Sequence, residues 1–146
     1  MTTPPLATIG YEMATLDQVI SRLQAAKVEL VVDVRAVASS RRPGFSKTML
    51  AASLRGAGID YRHLRGLGTP KAGREAARSG RTAEMRRIYE DYLEEPAAQI
   101  ELAEATRLAA QTSIALLCYE AEAPKCHRAI IAQHICDSLG CERLDL

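Results

Sequence analysis

Residues 118–128 concentrate the side chains of this sequence that are most capable of chemistry. The segment holds Cys118, Glu120, Cys126 and His127, and it ends at Arg128. A thiol beside cationic groups or a helix N-terminus has a lowered pKa, and the thiolate is a nucleophile or a metal ligand. A neighbouring carboxylate or imidazole can carry the proton. We therefore predict catalytic roles for Cys118, Glu120, Cys126 and His127, with one of the two thiols as the nucleophile.

The elements around this segment indicate how it is positioned. Residues 113–118 form an apolar run typical of a buried strand, and residues 129–139 have helical spacing. Further strands are predicted at residues 6–9, 30–34 and 59–63, with a final one at 143–146, and helical patterns lie between them. This alternation predicts an α/β fold of three layers, α/β/α, with a mostly parallel sheet of about four or five strands. The glycines and proline of residues 64–80 predict a long loop.

Polar residues follow several of the predicted strands at their carboxyl ends. In an open parallel sheet these ends share one edge, where ligands bind. Arginine side chains and a helix N-terminus there would favour an anion. The predicted substrate-binding residues at this edge are Tyr11, Asp33, Arg35, Arg41, Arg42, His63 and Arg128.

Each of these assignments has a structural alternative. Cysteine is commonly buried as a small apolar residue, and this role is as well supported for Cys118 as a functional one. Asp33 and Arg35 could equally form an internal ion pair that holds their loop. Cys118, Cys126 and His127 could also supply three zinc ligands, with Glu120 or water as the fourth. The spacing is not that of a CxxC pair, and adjacent Cys-His is awkward for one tetrahedral ion, so we predict no metal and no cofactor.

Composition limits the class of protein. The chain has 146 residues, which suits a single domain over residues 1–146. Its 19 Lys and Arg against 18 Asp and Glu argue against a broad nucleic-acid surface. We find no apolar run of membrane-spanning length and no signal peptide at the N-terminus. Four cysteines in such a chain are best explained as reduced thiols, so we expect a cytoplasmic, bacterial-type protein.

Four blocks of the sequence resemble the DUF488 family, a domain of unknown function. They are residues 8–11 (TIGY), residues 32–35 (VDVR) with 40–42 (SRR), residues 67–70 (LGTP), and residues 117–120 (LCYE) running to 126–128 (CHR). Tyr11 stands where many members have histidine. The resemblance implies the same site but no settled reaction. A weaker similarity, at the level of the fold, is to rhodanese-like domains through Asp33, Arg35 and Cys118.

Three functions are compatible with these residues. The first is an enzyme acting on a small anion, such as a phosphorylated, nucleotide-like or sulfur-bearing compound. The second is a module that binds nucleotides or nucleic acid without chemistry. Basic residues in or near the predicted loops suit the second function: Arg41, Arg42, Arg62, Arg65, Lys71, Arg74, Arg78 and Arg81. A third possibility is a redox sensor whose cysteines are reversibly oxidised. The oligomeric state is not predicted.

Overall fold

The computed structural model describes residues 3–146 and contains a five-stranded parallel sheet. The strands are β1 (Leu6–Gly10), β2 (Leu30–Asp33), β3 (Asp60–His63), β4 (Ile114–Cys118) and β5 (Arg143–Asp145). Their order across the sheet is β3-β2-β4-β1-β5. The predicted α/β class and parallel sheet are confirmed.

Six helices accompany the sheet within the described residues. They are α1 (Leu16–Ala25), α2 (Lys47–Gly56), α3 (Lys71–Arg78), α4 (Thr82–Leu93), α5 (Pro96–Gln111) and α6 (Arg128–Leu139). The start of α1 is fixed by a capping box, in which Thr15 and Gln18 each accept a hydrogen bond from the other's backbone N–H. No helix in residues 3–146 is long and apolar enough to cross a membrane.

The helices cover both faces of the sheet. On one face Val31 and Leu117 pack in a cluster with side chains of α1 and α2. On the other face Val32 and Leu116 pack with side chains of α3, α4, α5 and α6. Successive residues of a strand point to opposite faces, so strands buried on both sides must be apolar throughout. This explains the unbroken apolar run of β4.

The predicted loop over residues 64–80 is only partly correct. It contains a 3₁₀ turn at Arg65–Leu67 and the whole of α3. Most residues of α3 are good helix formers, which outweighs the cost of Gly73 within it. Gly73 is buried, and a Cβ there would overlap the Thr69 side chain. Its presence therefore reflects close packing rather than a break in the helix.

The strand order brings the predicted edge residues near one another. The central strand β4 lies between β1 and β2. In the register, Gly10 is opposite Cys118, while Asp33 is opposite both Leu117 and His63. From β1 the chain crosses past β4 to β2, toward one edge of the sheet. From β4 it crosses past β1 to β5, toward the opposite edge. Such a change of direction creates a crevice outside the carboxyl ends of the strands.

Candidate active site

Two thiols and one imidazole meet at the carboxyl end of β4. Cys118 is its last residue, and Cys126 and His127 directly precede α6. The Nδ1 atom of His127 lies 3.7 Å from the sulfur of Cys118 and 3.6 Å from the sulfur of Cys126. These three atoms all lie within 4.8 Å of one another. All three residues are buried, so their mutual contacts replace contacts with water.

The His127 ring is held by the backbone of the residue that follows β2. Its Nε2 atom is 2.7 Å from the carbonyl oxygen of Val34, to which it donates a hydrogen bond. Tyr89 contacts the ring edge-on, with ring centroids 5.0 Å apart. Because Nε2 carries the hydrogen, Nδ1 of the neutral ring presents a lone pair to the two sulfurs.

The loop between Cys118 and Cys126 is fixed by Arg128. Its guanidinium is fully buried and donates hydrogen bonds to the carbonyl oxygens of Glu120 and Ala121, at 2.5 and 3.2 Å. Gly10 permits this packing because it has no side chain: a Cβ there would overlap the carbonyl oxygen of Glu120. These contacts draw the loop back over the end of β1 and turn Glu120 toward the thiols.

Glu120 adds a carboxyl group to the two thiols. The thiol of Cys118 donates to its Oε2 atom over 3.7 Å. Burial, together with the nearby sulfur of Cys126, raises the pKa of Glu120 to about 7. The cause is that a second negative charge in this partly dry site is unfavourable.

The two thiols differ in their acidity. Hydrogen bonding to Cys126 and burial raise the pKa of Cys118 well above its usual value. Burial acts in the same direction on Cys126, but the thiol of Cys118 and the imidazole of His127 outweigh it and lower the pKa of Cys126. Burial acts to lower the pKa of His127, but the Cys126 sulfur outweighs burial and raises this pKa. The pair therefore favours one thiolate and one thiol that share a proton beside His127.

Asp33 and Arg35 form a buried ion pair next to this cluster. The Arg35 guanidinium donates to both carboxylate oxygens of Asp33, at 2.9 and 2.6 Å. It also donates to the Tyr11 hydroxyl at 3.1 Å and to the carbonyl oxygen of Phe45 at 2.7 Å. The Tyr61 hydroxyl donates to Asp33 at 2.5 Å. Asp33 thus holds Arg35, and Arg35 positions the Tyr11 side chain.

A pocket of about 260 Å³ opens beside these groups. Its lining includes five of the predicted site residues: Tyr11, Arg35, Cys118, Glu120 and His127. Cys126 is 1% exposed and lies against this group, outside the lining. A cavity of this size, formed by the side chains of several elements, suits a small molecule.

Besides Cys126 and Asp33, four predicted site residues lie outside this lining. Arg42 donates to the carbonyl oxygens of Glu12 and Ala14, at 2.7 and 2.5 Å. The Nε2 atom of His63 lies 2.7 Å from the carbonyl oxygen of Arg35. Arg128 is buried behind the loop that it holds, and Arg41 is exposed. The structure therefore does not bring Arg41, Arg42, His63 and Arg128 together with the pocket.

Two arginines line the pocket that sequence reasoning did not assign to it. Arg74 and Arg78 lie one turn apart on α3 and contribute to the lining. Arg74 donates to the carbonyl oxygen of Thr69 at 2.8 Å, and Arg78 is exposed. Their spacing of four residues was a usable signal, since such residues share a helix face. A loop over residues 64–80 would hide this spacing, whereas α3 gives both arginines one face.

Comparison with known families gives one match. The family described as "Domain of unknown function DUF488" matches residues 15–135, well over half of the chain. The chain belongs to the DUF488 family. No curated protein and no solved structure matches it. The weaker similarity to rhodanese-like domains therefore stays a prediction, and the DUF488 resemblance is confirmed.

Proposed function

We propose that this DUF488 protein is a thiol-dependent enzyme that acts on a small anionic substrate in the pocket beside Cys118. The observation that carries the proposal is the convergence of Cys118, Glu120 and His127 on one cavity of about 260 Å³. Buried thiols, an imidazole and a carboxyl group rarely meet at a cavity for packing alone, because burying polar groups costs free energy. Cys118 is the sulfur that the substrate meets, since Cys126 lies behind it.

The charges of the lining favour an anion. Arg74 and Arg78 contribute guanidinium groups that can bind a phosphate, sulfate or carboxylate group through two N–H donors. Most donors of Arg35 are occupied by Asp33, Tyr11 and Phe45. Its main role is therefore to position the side chains that line the pocket. The substrate is thus a small phosphorylated, nucleotide-like or sulfur-bearing compound whose anionic group faces α3.

The second candidate, a nucleic-acid module, is less well supported. Of the basic residues that would form its surface, Arg62 pairs with Glu104 at 2.5 Å and Arg81 pairs with Glu84 at 2.6 Å. Phosphate binding would compete with these carboxylates. The remaining cations that share a cavity with the thiols are better matched to one small anion than to an extended backbone.

The proposal is tested with two alkylating reagents of similar size, anionic iodoacetate and neutral iodoacetamide. They are applied to the reduced, chelator-treated protein, and the Cys118 and Cys136 peptides are followed by mass spectrometry. Relative to Cys136, Cys118 should prefer iodoacetate several-fold, because the α3 arginines attract its carboxylate. Arg78→Gln should reduce this preference, whereas Arg41→Gln, an exposed arginine outside the lining, should not.

Two outcomes would reject the proposed function. If Cys118 reacts with neither reagent, even at a pH high enough to ionise it, while Cys136 reacts with both, the thiol is not reachable from the pocket. If Arg41→Gln lowers the preference as much as Arg78→Gln, the attraction comes from the general field of the protein and not from the pocket.

A further inference from the structure

The donor atoms of the thiol cluster have the spacing of a metal site. With zinc–sulfur bonds of about 2.3 Å and zinc–nitrogen bonds of about 2.0 Å, a tetrahedral site has sulfur–nitrogen edges of about 3.5 Å and sulfur–sulfur edges of about 3.8 Å. The Nδ1 atom of His127 lies 3.7 Å from one sulfur and 3.6 Å from the other. Small movements of the side chains would therefore place one ion within bonding distance of all three atoms.

Adjacent ligands in the sequence are made compatible by a change in backbone conformation. Cys126 is extended, with φ −125° and ψ 147°, while His127 is helical, with φ −62° and ψ −21°. In an extended chain neighbouring side chains point to opposite sides, and the turn into α6 removes this obstacle. The difficulty that the sequence suggests for a Cys-His pair does not arise in this fold.

The orientation of His127 is also that of a metal ligand. Metal-binding histidines usually donate their second ring N–H to a carbonyl or carboxylate, which fixes the ring and the tautomer. Here Nε2 donates to Val34, so Nδ1 is the atom left for a ligand.

The charges around the cluster leave room for a cation. Three acidic side chains, those of Cys118, Glu120 and Cys126, gather around a single imidazole. Two buried guanidinium groups beside the cluster are directed elsewhere: Arg128 donates to loop carbonyl oxygens and Arg35 donates to Asp33. Thiols bind a metal in their deprotonated form, so two thiolates would balance the charge of a divalent ion. Thiolate and imidazole donors favour zinc over calcium or magnesium.

We propose that Cys118, Cys126 and His127 are the protein ligands of a zinc ion whose fourth position faces the pocket. Three protein ligands with one open position are typical of catalytic zinc. Glu120, 3.7 Å from the Cys118 sulfur, lies beside that position and can accept a hydrogen bond from its occupant. The metal site stands on the ligand geometry. Only the occupant of the fourth position, a water or the anionic group of the substrate, rests on the proposed function.

The test is metal binding by the full chain. We expect about one zinc per purified chain, and we expect cobalt substitution to give a thiolate-to-metal charge-transfer band with tetrahedral d–d bands. Cys118→Ser, Cys126→Ser and His127→Gln should each weaken binding by at least about tenfold. Cys136→Ser and Cys141→Ser are the matched controls, because these two thiols lie 2.9 Å apart at the far end of α6. Both should bind as the unsubstituted protein does.

A second measurement covers variants that fail to fold. A chelator should lower the melting temperature of the unsubstituted protein, since a ligand bound only to the folded state stabilises it. The proposal is overturned if that protein shows neither the chelator effect nor the charge-transfer band. It is also overturned if the Cys136 or Cys141 controls lose the band while Cys118→Ser keeps it.

Failure of this inference can be told apart from failure of the proposed function. The alkylation experiment uses chelator-treated protein, so a charge preference at Cys118 without zinc binding would keep the pocket and reject the metal. Zinc binding without that preference would keep the metal and reject the anionic substrate.

Discussion

The arginines that follow the strands differ from those on α3 in what their guanidinium groups contact. Arg35 and Arg128 are buried, and most of their donors are occupied by a carboxylate or by carbonyl oxygens, although the Nε atom of Arg128 has no partner within residues 3–146. Arg74 and Arg78 lie on a helix, at least partly exposed, and line the pocket. Position at the carboxyl edge therefore does not by itself make an arginine a ligand. What matters is how many donors remain after the local backbone has been satisfied.

The first group should be needed for folding and the second should not. Removing the partner of a buried guanidinium group lowers the free energy of unfolding substantially, whereas substituting an exposed arginine changes it little. Substitutions that remove one charge or one set of donors at a time test whether the two groups of arginines differ in this way.

The largest loss is expected for Asp33→Asn. Asp33 has no exposed surface and Arg35 is 5% exposed, so the substitution leaves a buried guanidinium without its carboxylate. Breaking such a pair costs about 3–5 kcal/mol. Urea denaturation would measure it as a lower free energy of unfolding. Asp60→Asn, an exposed aspartate at the start of β3, is the control and should change the free energy by less than about 0.5 kcal/mol. Equal losses in the two variants would mean that the Asp33–Arg35 pair does not support the fold.

A smaller loss is expected for Arg128→Met. Methionine fills much of the same volume but cannot donate to the carbonyl oxygens of Glu120 and Ala121. Leaving these oxygens without partners should cost about 2 kcal/mol, part of the cost being offset because a buried charge is also removed.

The same urea denaturation measures the effect of Arg128→Met, with Arg87→Met on the exposed surface of α4 as the control. A free energy of unfolding unchanged by Arg128→Met would show that the loop holds its shape without this arginine. Arg128 would then have donors to spare, as Arg74 and Arg78 do.

Much of the fold could be predicted because it depends on short-range patterns. The apolar runs of β2 and β4 and the capping box at Thr15 are properties of neighbouring residues, and the structure has both. Helix α3 escaped prediction because its glycine is explained only by its contact with Thr69, which tertiary packing creates.

The candidate site shows the same division. The strand ends bring Cys118, Glu120 and His127 to one pocket, which the order of elements predicts. The hydrogen-bond partners of Arg42 and Arg128 could not be predicted. Both bind carbonyl oxygens of loops whose conformation no local pattern encodes. A sequence identifies a cation, but only the folded chain determines whether its donors are already used.

The smallest difference in stability is expected between substitutions of the neighbouring Arg41 and Arg42. Arg42 donates to Glu12 and Ala14, and its guanidinium lies 5.9 Å from the centre of the Phe45 ring. Arg42→Gln should therefore lower the free energy of unfolding by about 1 kcal/mol. Arg41 is exposed, so Arg41→Gln should have an effect within about 0.5 kcal/mol. Urea denaturation of both variants under the same conditions separates these values. If the two variants are equally stable, the contacts of Arg42 do not hold its loop, and Arg42 would belong with the arginines that are free to bind an anion.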